Sequence, residues 1–275
     1  IVHTGHAQKT DKITFDGVVE TEEWSESQRF EIAFEFNPGD NVPSPYRTEA
    51  YVTYDEEYLL VGFVASADMK NLRSSIRNRD EAWVDDFVFF GVDTYSDGRY
   101  MINFGSNPEG SQLDMKIDSN GNDDESYDVN YFTKTSKHSD AYHIEMMIPF
   151  NVLQFEAKSV MDWKVVFYRS TYSGDNRSQN LNFAIDRENP CLICQTPASI
   201  RIENIEKKNR TTLLPNIFSG TEGREAYKSD PAVNNRYGRQ TMRQAIRLPE
   251  MRESQQRRPC ALPFPSVCEC TGLLQ

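Results

Sequence analysis

The chain has 275 residues, enough for one large β domain or for a medium domain with an appendage. Its 42 acidic side chains against 30 basic ones give a net charge of −12. That balance excludes a nucleic-acid partner, because phosphate recognition needs a basic footprint, and it disfavours an anionic membrane surface. Charged residues at 26% with aromatics at 12% describe a chain that folds, and no stretch approaches the roughly 20 apolar residues of a membrane-spanning helix.

Residues 1–9 are polar and expected to be loose, and a start at Ile1 rather than Met is what a processed or trimmed N-terminus gives. Ile13 to Trp24 reads as a short strand broken by an Asp16-Gly17 turn. Arg29 to Phe36 alternates, with Phe30, Ile32, Phe34 and Phe36 inward and Glu31 and Glu35 outward, as in one half-buried strand. Thr48–Tyr54 and Tyr58–Ala67 form a hairpin around Asp55-Glu56-Glu57, and Met69–Asn78 is the best candidate for a short helix.

The centre of the chain is a meander. Phe87, Phe89 and Gly91 share one face of an extended segment while Val88, Phe90 and Val92 share the other, the mark of a strand covered on both sides. Turns at Ser96-Asp97-Gly98 and Asn107-Pro108-Glu109-Gly110 separate it from strands at Arg99–Phe104 and Gln112–Ile117. Asp118–Asp128 is an acidic loop without the glycine and terminal glutamate of an EF-hand. Val129–Thr135 pairs with Ala141–Ile148, Pro149 opens a helical turn, and Trp163–Thr171 is a strand with Val165, Phe167 and Arg169 on one face. Gln179–Ile185 and Ser199–Ile205 are weaker strands. The spacing predicts an all-β fold, an antiparallel jelly-roll-like β-sandwich of roughly ten strands with few short helices. Trp24 and Trp163 belong to its core. Residues 206–275 turn basic and lose periodicity, as in an irregular tail, a linker or a truncated second domain.

The five cysteines lie in the last third of the chain. Cys191-Leu-Ile-Cys194 is one couplet without further zinc ligands in sequence, so a local disulfide or two free thiols is expected there. No Gly-x-Ser-x-Gly, His-Glu-x-x-His or phosphate-cradling glycine loop is present, and the abundance of acids makes carboxylate pairs uninformative about glycoside hydrolysis.

Several motifs occur in a recognisable order: Ile13-Thr-Phe-Asp-Gly with Glu20 and Trp24, then Tyr58-Leu-Leu-Val-Gly-Phe63, then Arg79-Asp80. Asp85-Asp86-Phe-Val-Phe-Phe-Gly-Val-Asp93, Tyr142-His-Ile-Glu-Met-Met-Ile-Pro-Phe150 and Trp163-Lys-Val-Val-Phe-Tyr-Arg169 complete the series. This order resembles the carbohydrate-binding family 9-like β-sandwich, in the version that precedes an outer-membrane-type β-barrel in bacterial proteins. The resemblance covers residues 10–205. It implies a carbohydrate partner and periplasmic, envelope or secreted exposure. It also implies structural calcium, for which Asp16 and Glu20 match the first turn, and outer-membrane association through a barrel that the tail lacks or truncates.

Sugar recognition joins flat aromatic faces to planar hydrogen-bonding groups. Trp83 with Arg77, Arg79 and Asp80 offers that combination, with Tyr100, Tyr127 or Tyr172 facing it. The plainer reading is that Trp83 caps the sandwich edge while Arg79 pairs with Asp80 or Asp85. Relatives that clamp a sugar use two tryptophans; here Trp83 is the one available in a loop. The expected function is a non-catalytic glycan-binding module. The alternatives are a periplasmic interaction domain or an accessory module of a glycoside hydrolase.

Overall fold

The computed structural model describes residues 7–206 and, as backbone, two strands further on. The chain falls into two units, residues 1–210 and 211–275. In the first, the strands run β1 Gln28–Glu31, β2 Phe34–Asn37, β3 Val42–Pro43, β4 Thr48–Tyr54, β5 Tyr58–Ser66, β6 Phe87–Asp93 and β7 Tyr100–Ser106. They continue with β8 Gln112–Asp118, β9 Asp123–Asp124, β10 Phe132–Lys137, β11 Ala141–Pro149, β12 Val160–Ser173, β13 Asn176–Leu181 and β14 Ser199–Glu203. In the second unit β15 (Pro215–Thr221) pairs antiparallel with β16 (Gln240–Ile246). The remaining expectations for the tail, including the barrel and Cys260, Cys268 and Cys270, lie outside the described residues.

Two antiparallel sheets make the sandwich. One has the order β1-β4-β5-β11-β10; the other runs β3-β2-β13-β12-β6-β7-β8-β9, with β14 beside the first half of β12. The expected all-β sandwich is therefore the observed fold, and helix is limited among the described residues to short 3-10 turns such as Phe150–Val152 after Pro149.

Phe167 sits at the middle of the core. Its ring lies 4.6 Å from Phe30 and 6.1 Å from Phe63 of the five-stranded sheet, and 5.5 Å from Phe90 of its own sheet. Trp163 packs against Phe150 and Phe155 at one end of the same core, and Trp24 is buried under the outer face of the five-stranded sheet. Every residue of β6 is buried, as the two-sided apolar pattern requires: Val88, Phe90 and Val92 enter the main core, and Phe87 and Phe89 lie beneath a cover of loops. Gly105 leaves room for the Phe89 ring, which would collide with any added Cβ.

Three expectations are corrected, the first being Ile13–Trp24, which holds no strand and runs as loop and turns. The alternating run Arg29–Phe36 is two strands, because the chain crosses between sheets at Ile32-Ala33: β1 pairs with β4 and β2 with β13. Phe30 and Ile32 stay in the core while Phe34 and Phe36 are half-buried. Met69–Asn78 is not a helix. After a turn at Asp68–Asn71 it runs extended, because distant partners take its backbone groups: the Arg73 carbonyl accepts from Asp86 N, the Ser75 carbonyl from Asn107 Nδ2, and Arg77 N donates to Ser111 Oγ. Of the two states open for the couplet, Cys191 and Cys194 form the disulfide.

Truncating the central ring tests this account of the core. Phe167→Ala is expected to lower unfolding free energy by about 3–5 kcal/mol in urea titration, whereas Tyr100→Ala, at an exposed site, stays within about 0.5 kcal/mol of the parent.

Candidate functional site

Asp85 ends the short turn Ala82–Val84 and is fully buried. Its carboxylate accepts hydrogen bonds from Ser75 N at 3.1 Å, Asn107 Nδ2 at 3.0 Å, and Arg77 Nε and Nη2 at 3.0 and 3.3 Å. Burial pushes this carboxyl up, but the bonds from Arg77, Asn107 and Ser75 outweigh it and hold Asp85 below the usual carboxylate range. Asn107 Oδ1 in turn accepts from Glu109 N and Ser111 N, which shapes the turn between β7 and β8. Residues 74–79 are thus fastened to residues 107–111.

Arg79 is held by a second set of acids. Nη1 donates to Gln112 Oε1 at 2.9 Å, Nη2 to Asp114 Oδ1 and the Val129 carbonyl, and Nε faces Asp128 at 3.2 Å and Asp80 at 3.7 Å. Asp114 is fully buried, and burial raises its pKa against the bonds from Val129 N and Arg79. Asp80, at φ 60°, accepts from Asp114 N at 3.0 Å. Asp80, Asp114 and Asp128 are the one converging group of metal-ligand type among the described residues, and the Arg79 guanidinium already serves as their cation.

Between these fastenings and strand β10 lies an open groove of about 440 Å³. Arg77, Arg79, Gln112, Phe132, Lys134 and Phe15 all line it. The groove follows the seam where β10, the last strand of its sheet, meets β8 of the other sheet: Gln112 Nε2 donates to the Tyr131 carbonyl at 2.8 Å. Phe132 is 48% exposed. Lys134 donates to the Phe15 carbonyl at 2.8 Å and its ammonium stands 5.3 Å from the centre of the Phe15 ring.

Of the site residues expected from sequence, Arg77 and Arg79 line this groove and Asp80 supports Arg79. Trp83 lies elsewhere, on the outer face of the larger sheet, 5.8 Å from Phe87 and 5.6 Å from Phe89, with its indole Nε1 buried and unpartnered. Tyr100 is exposed, with Lys116 Nζ 3.9 Å from its ring. Tyr127 is half-buried, and burial and the Asp114 charge raise its pKa. Tyr172 lies under the Arg73 guanidinium at 4.6 Å and lines a separate cavity of about 210 Å³ with Tyr46, Glu35 and Arg177. Phe15, Gln112, Phe132 and Lys134 were not legible as site residues. Their sequence signal is an apolar residue at the solvent-facing start of an edge strand, but nothing in the sequence says which loops approach it.

The Asp16-Gly17 turn has another occupation. Gly17 adopts φ +98° against the Thr135 backbone, where a Cβ would meet Thr135 N at 2.9 Å. Asp16 N and Gly17 N both donate to Glu145 Oε2, at 2.9 and 2.6 Å, and Asp16 Oδ1 accepts from Val18 N. Asp16 and Glu20 are exposed and, among the described residues, join no third acid or histidine in a converging group. Glu145 itself is buried with Oε1 unpartnered, and burial, opposed by the Gly17 and Asp16 amides, pushes its pKa up to about 7.

No protein-family model matches the chain, and no curated protein matches it either. Among solved structures it is similar to a protein from Bacteroides uniformis ATCC 8492 to which carbohydrate binding has been ascribed. The identity is 13%, the match covers 72% of this chain and 97% of that one, and the TM-score is 0.57. A carbohydrate-binding module family 9 domain from Caldicellulosiruptor kristjanssonii, in complex with cellotriose, matches at 14% identity over 75% of this chain and 94% of its own, with a TM-score of 0.48. Its complex with glucose gives the same identity and TM-score. At such identity the likeness is one of fold: the antiparallel β-sandwich expected from the sequence is the fold the chain adopts and shares with the Bacteroides protein.

Glu145 makes stability depend on pH. Its pKa in the folded chain lies above the ordinary 4.5, so its contribution is complete below about pH 4.5 and is lost as pH rises through about 7. Glu145→Gln, which keeps an acceptor for the two amides, is expected to match the parent at pH 4.5 and to exceed it by about 1–2 kcal/mol at pH 8 in urea titrations.

Proposed function

We propose that this chain is a non-catalytic carbohydrate-binding module whose ligand lies in the groove along β10. The observation that carries the reading is the pairing, in one open groove, of an exposed aromatic face with planar donors. Phe132 and Phe15 line it together with Arg77, Arg79 and Gln112. A pyranose offers an apolar C–H face to a ring and hydroxyls to guanidinium and amide groups, which is the complement of that lining. Each donor is already fixed by a second partner, Arg77 by Asp85 and Arg79 by Asp114, so little side-chain freedom is lost when a sugar binds. The fold shared with the Bacteroides protein supports the same reading.

An extracytoplasmic setting, the periplasm or the cell envelope, belongs to this reading, and the Cys191–Cys194 disulfide supports it.

Two substitutions separate the groove from the tryptophan platform. In calorimetric titration against oligosaccharides found on a glycan array, Phe132→Ala is expected to weaken binding about tenfold while leaving the melting temperature near the parent's. Trp83→Ala is expected to do the reverse, costing about 1–3 kcal/mol of stability with affinity within about twofold. Affinity lost on Trp83→Ala but kept on Phe132→Ala moves the site to the outer sheet face. An array without hits ends the proposal.

A further inference from the structure

The charge on the groove is opposite to the charge on the chain. The net charge is −12, yet the ionisable side chains lining the groove, Tyr131 aside, are Arg77, Arg79 and Lys134, all cationic. Their counter-charges lie behind or beside them. Asp85 and Asp114 have side chains 2% and 0% exposed, whereas Arg77 and Arg79 keep 33% and 29%. Arg79 is matched by Asp114 beneath and by Asp80 and Asp128 at its flank, so it brings geometry more than free charge.

Two donors remain. Asp85 takes Nε and Nη2 of Arg77, which leaves Nη1 for the groove. Lys134 donates once, to a neutral carbonyl, and has no carboxylate partner among the described residues. One guanidinium edge and one ammonium lining the same aromatic-edged groove are the donors for a carboxylate carried on a ring.

We infer that the groove prefers acidic glycans, those whose rings carry a carboxylate as in uronic acids, over neutral ones. The ring lies on Phe132 and its carboxylate is held between Lys134 and Arg77. The inference rests on the proposed glycan-binding reading of the same groove and adds the class of sugar. An extended acidic peptide offers the same charge, but it lacks the flat C–H face that Phe132 would cover, so the observations favour the sugar.

The probes are trigalacturonic acid, its fully methyl-esterified form, and a hexaglutamate peptide, titrated calorimetrically into the full chain. The acid is expected to bind at least about tenfold more tightly than the ester, since charge-assisted bonds are the difference between them. That preference is expected to shrink as salt is added, to disappear in Lys134→Gln and to return in Lys134→Arg. Lys134 is exposed, so melting curves of these variants serve as the folding control. Acid and ester binding alike, both weakened by Phe132→Ala, overturns the acid preference and leaves the glycan-binding reading intact. Hexaglutamate bound as tightly as the trigalacturonate overturns it in favour of a peptide partner. No binding of any of the three, with neutral array glycans still captured, also overturns it; failure of every glycan removes both readings together.

Discussion

The groove owes its shape to a buried carboxylate. Asp85 stands buried at the entrance to β6, and four donors from two separate segments converge on it. A carboxylate in that position is stable only if it is hydrogen-bonded on every side, so residues 74–79 and the 107–111 turn must come to it. Their approach sets Arg77 and Arg79 beside β10. The same demand explains why Met69–Asn78 gives up the helix its composition favours: the backbone groups that a helix would pair internally are needed to close the Asp85 network.

The sandwich was largely legible from sequence because its strands obey local rules. β4 and β5, then β6, β7 and β8, are apolar or alternating runs bounded by turn residues where the structure has strands and turns. Trp24, Trp163 and Phe167 are core residues as their context indicates. The break within Arg29–Phe36 was not legible, since its alternation continues unbroken while the chain changes sheets. Periodicity reports which side of a strand is buried; it says nothing about which sheet supplies the burial.

The site was legible only in part, for a related reason. Its positions 15, 77–79, 110–112 and 131–134 come from four stretches of chain, and the contacts that unite them, such as Gln112 to Tyr131 and Lys134 to Phe15, are long-range. Arg77 and Arg79 stood out as arginines in a charged loop. Trp83 stood out as an aromatic in the same loop, yet Phe87 and Phe89 on the outer face of β6 need a cover and Trp83 supplies it. Arg169 presents the opposite case: it shares a strand face with Val165 and Phe167, and the structure buries it fully between the rings of Tyr46 and Tyr142.

Strand β10 has a neighbour on one side only. A terminal strand of this kind templates self-association, since a second chain can add its own strand to the unpaired amides. Here Lys137 is paired with Glu109, but Lys134 projects from it with no carboxylate partner among the described residues, and such a charge repels an identical strand laid against it. The ammonium that faces the groove is therefore also a guard of solubility. Sequence drift that neutralised Lys134 would remove that guard and favour pairing of copies through this margin.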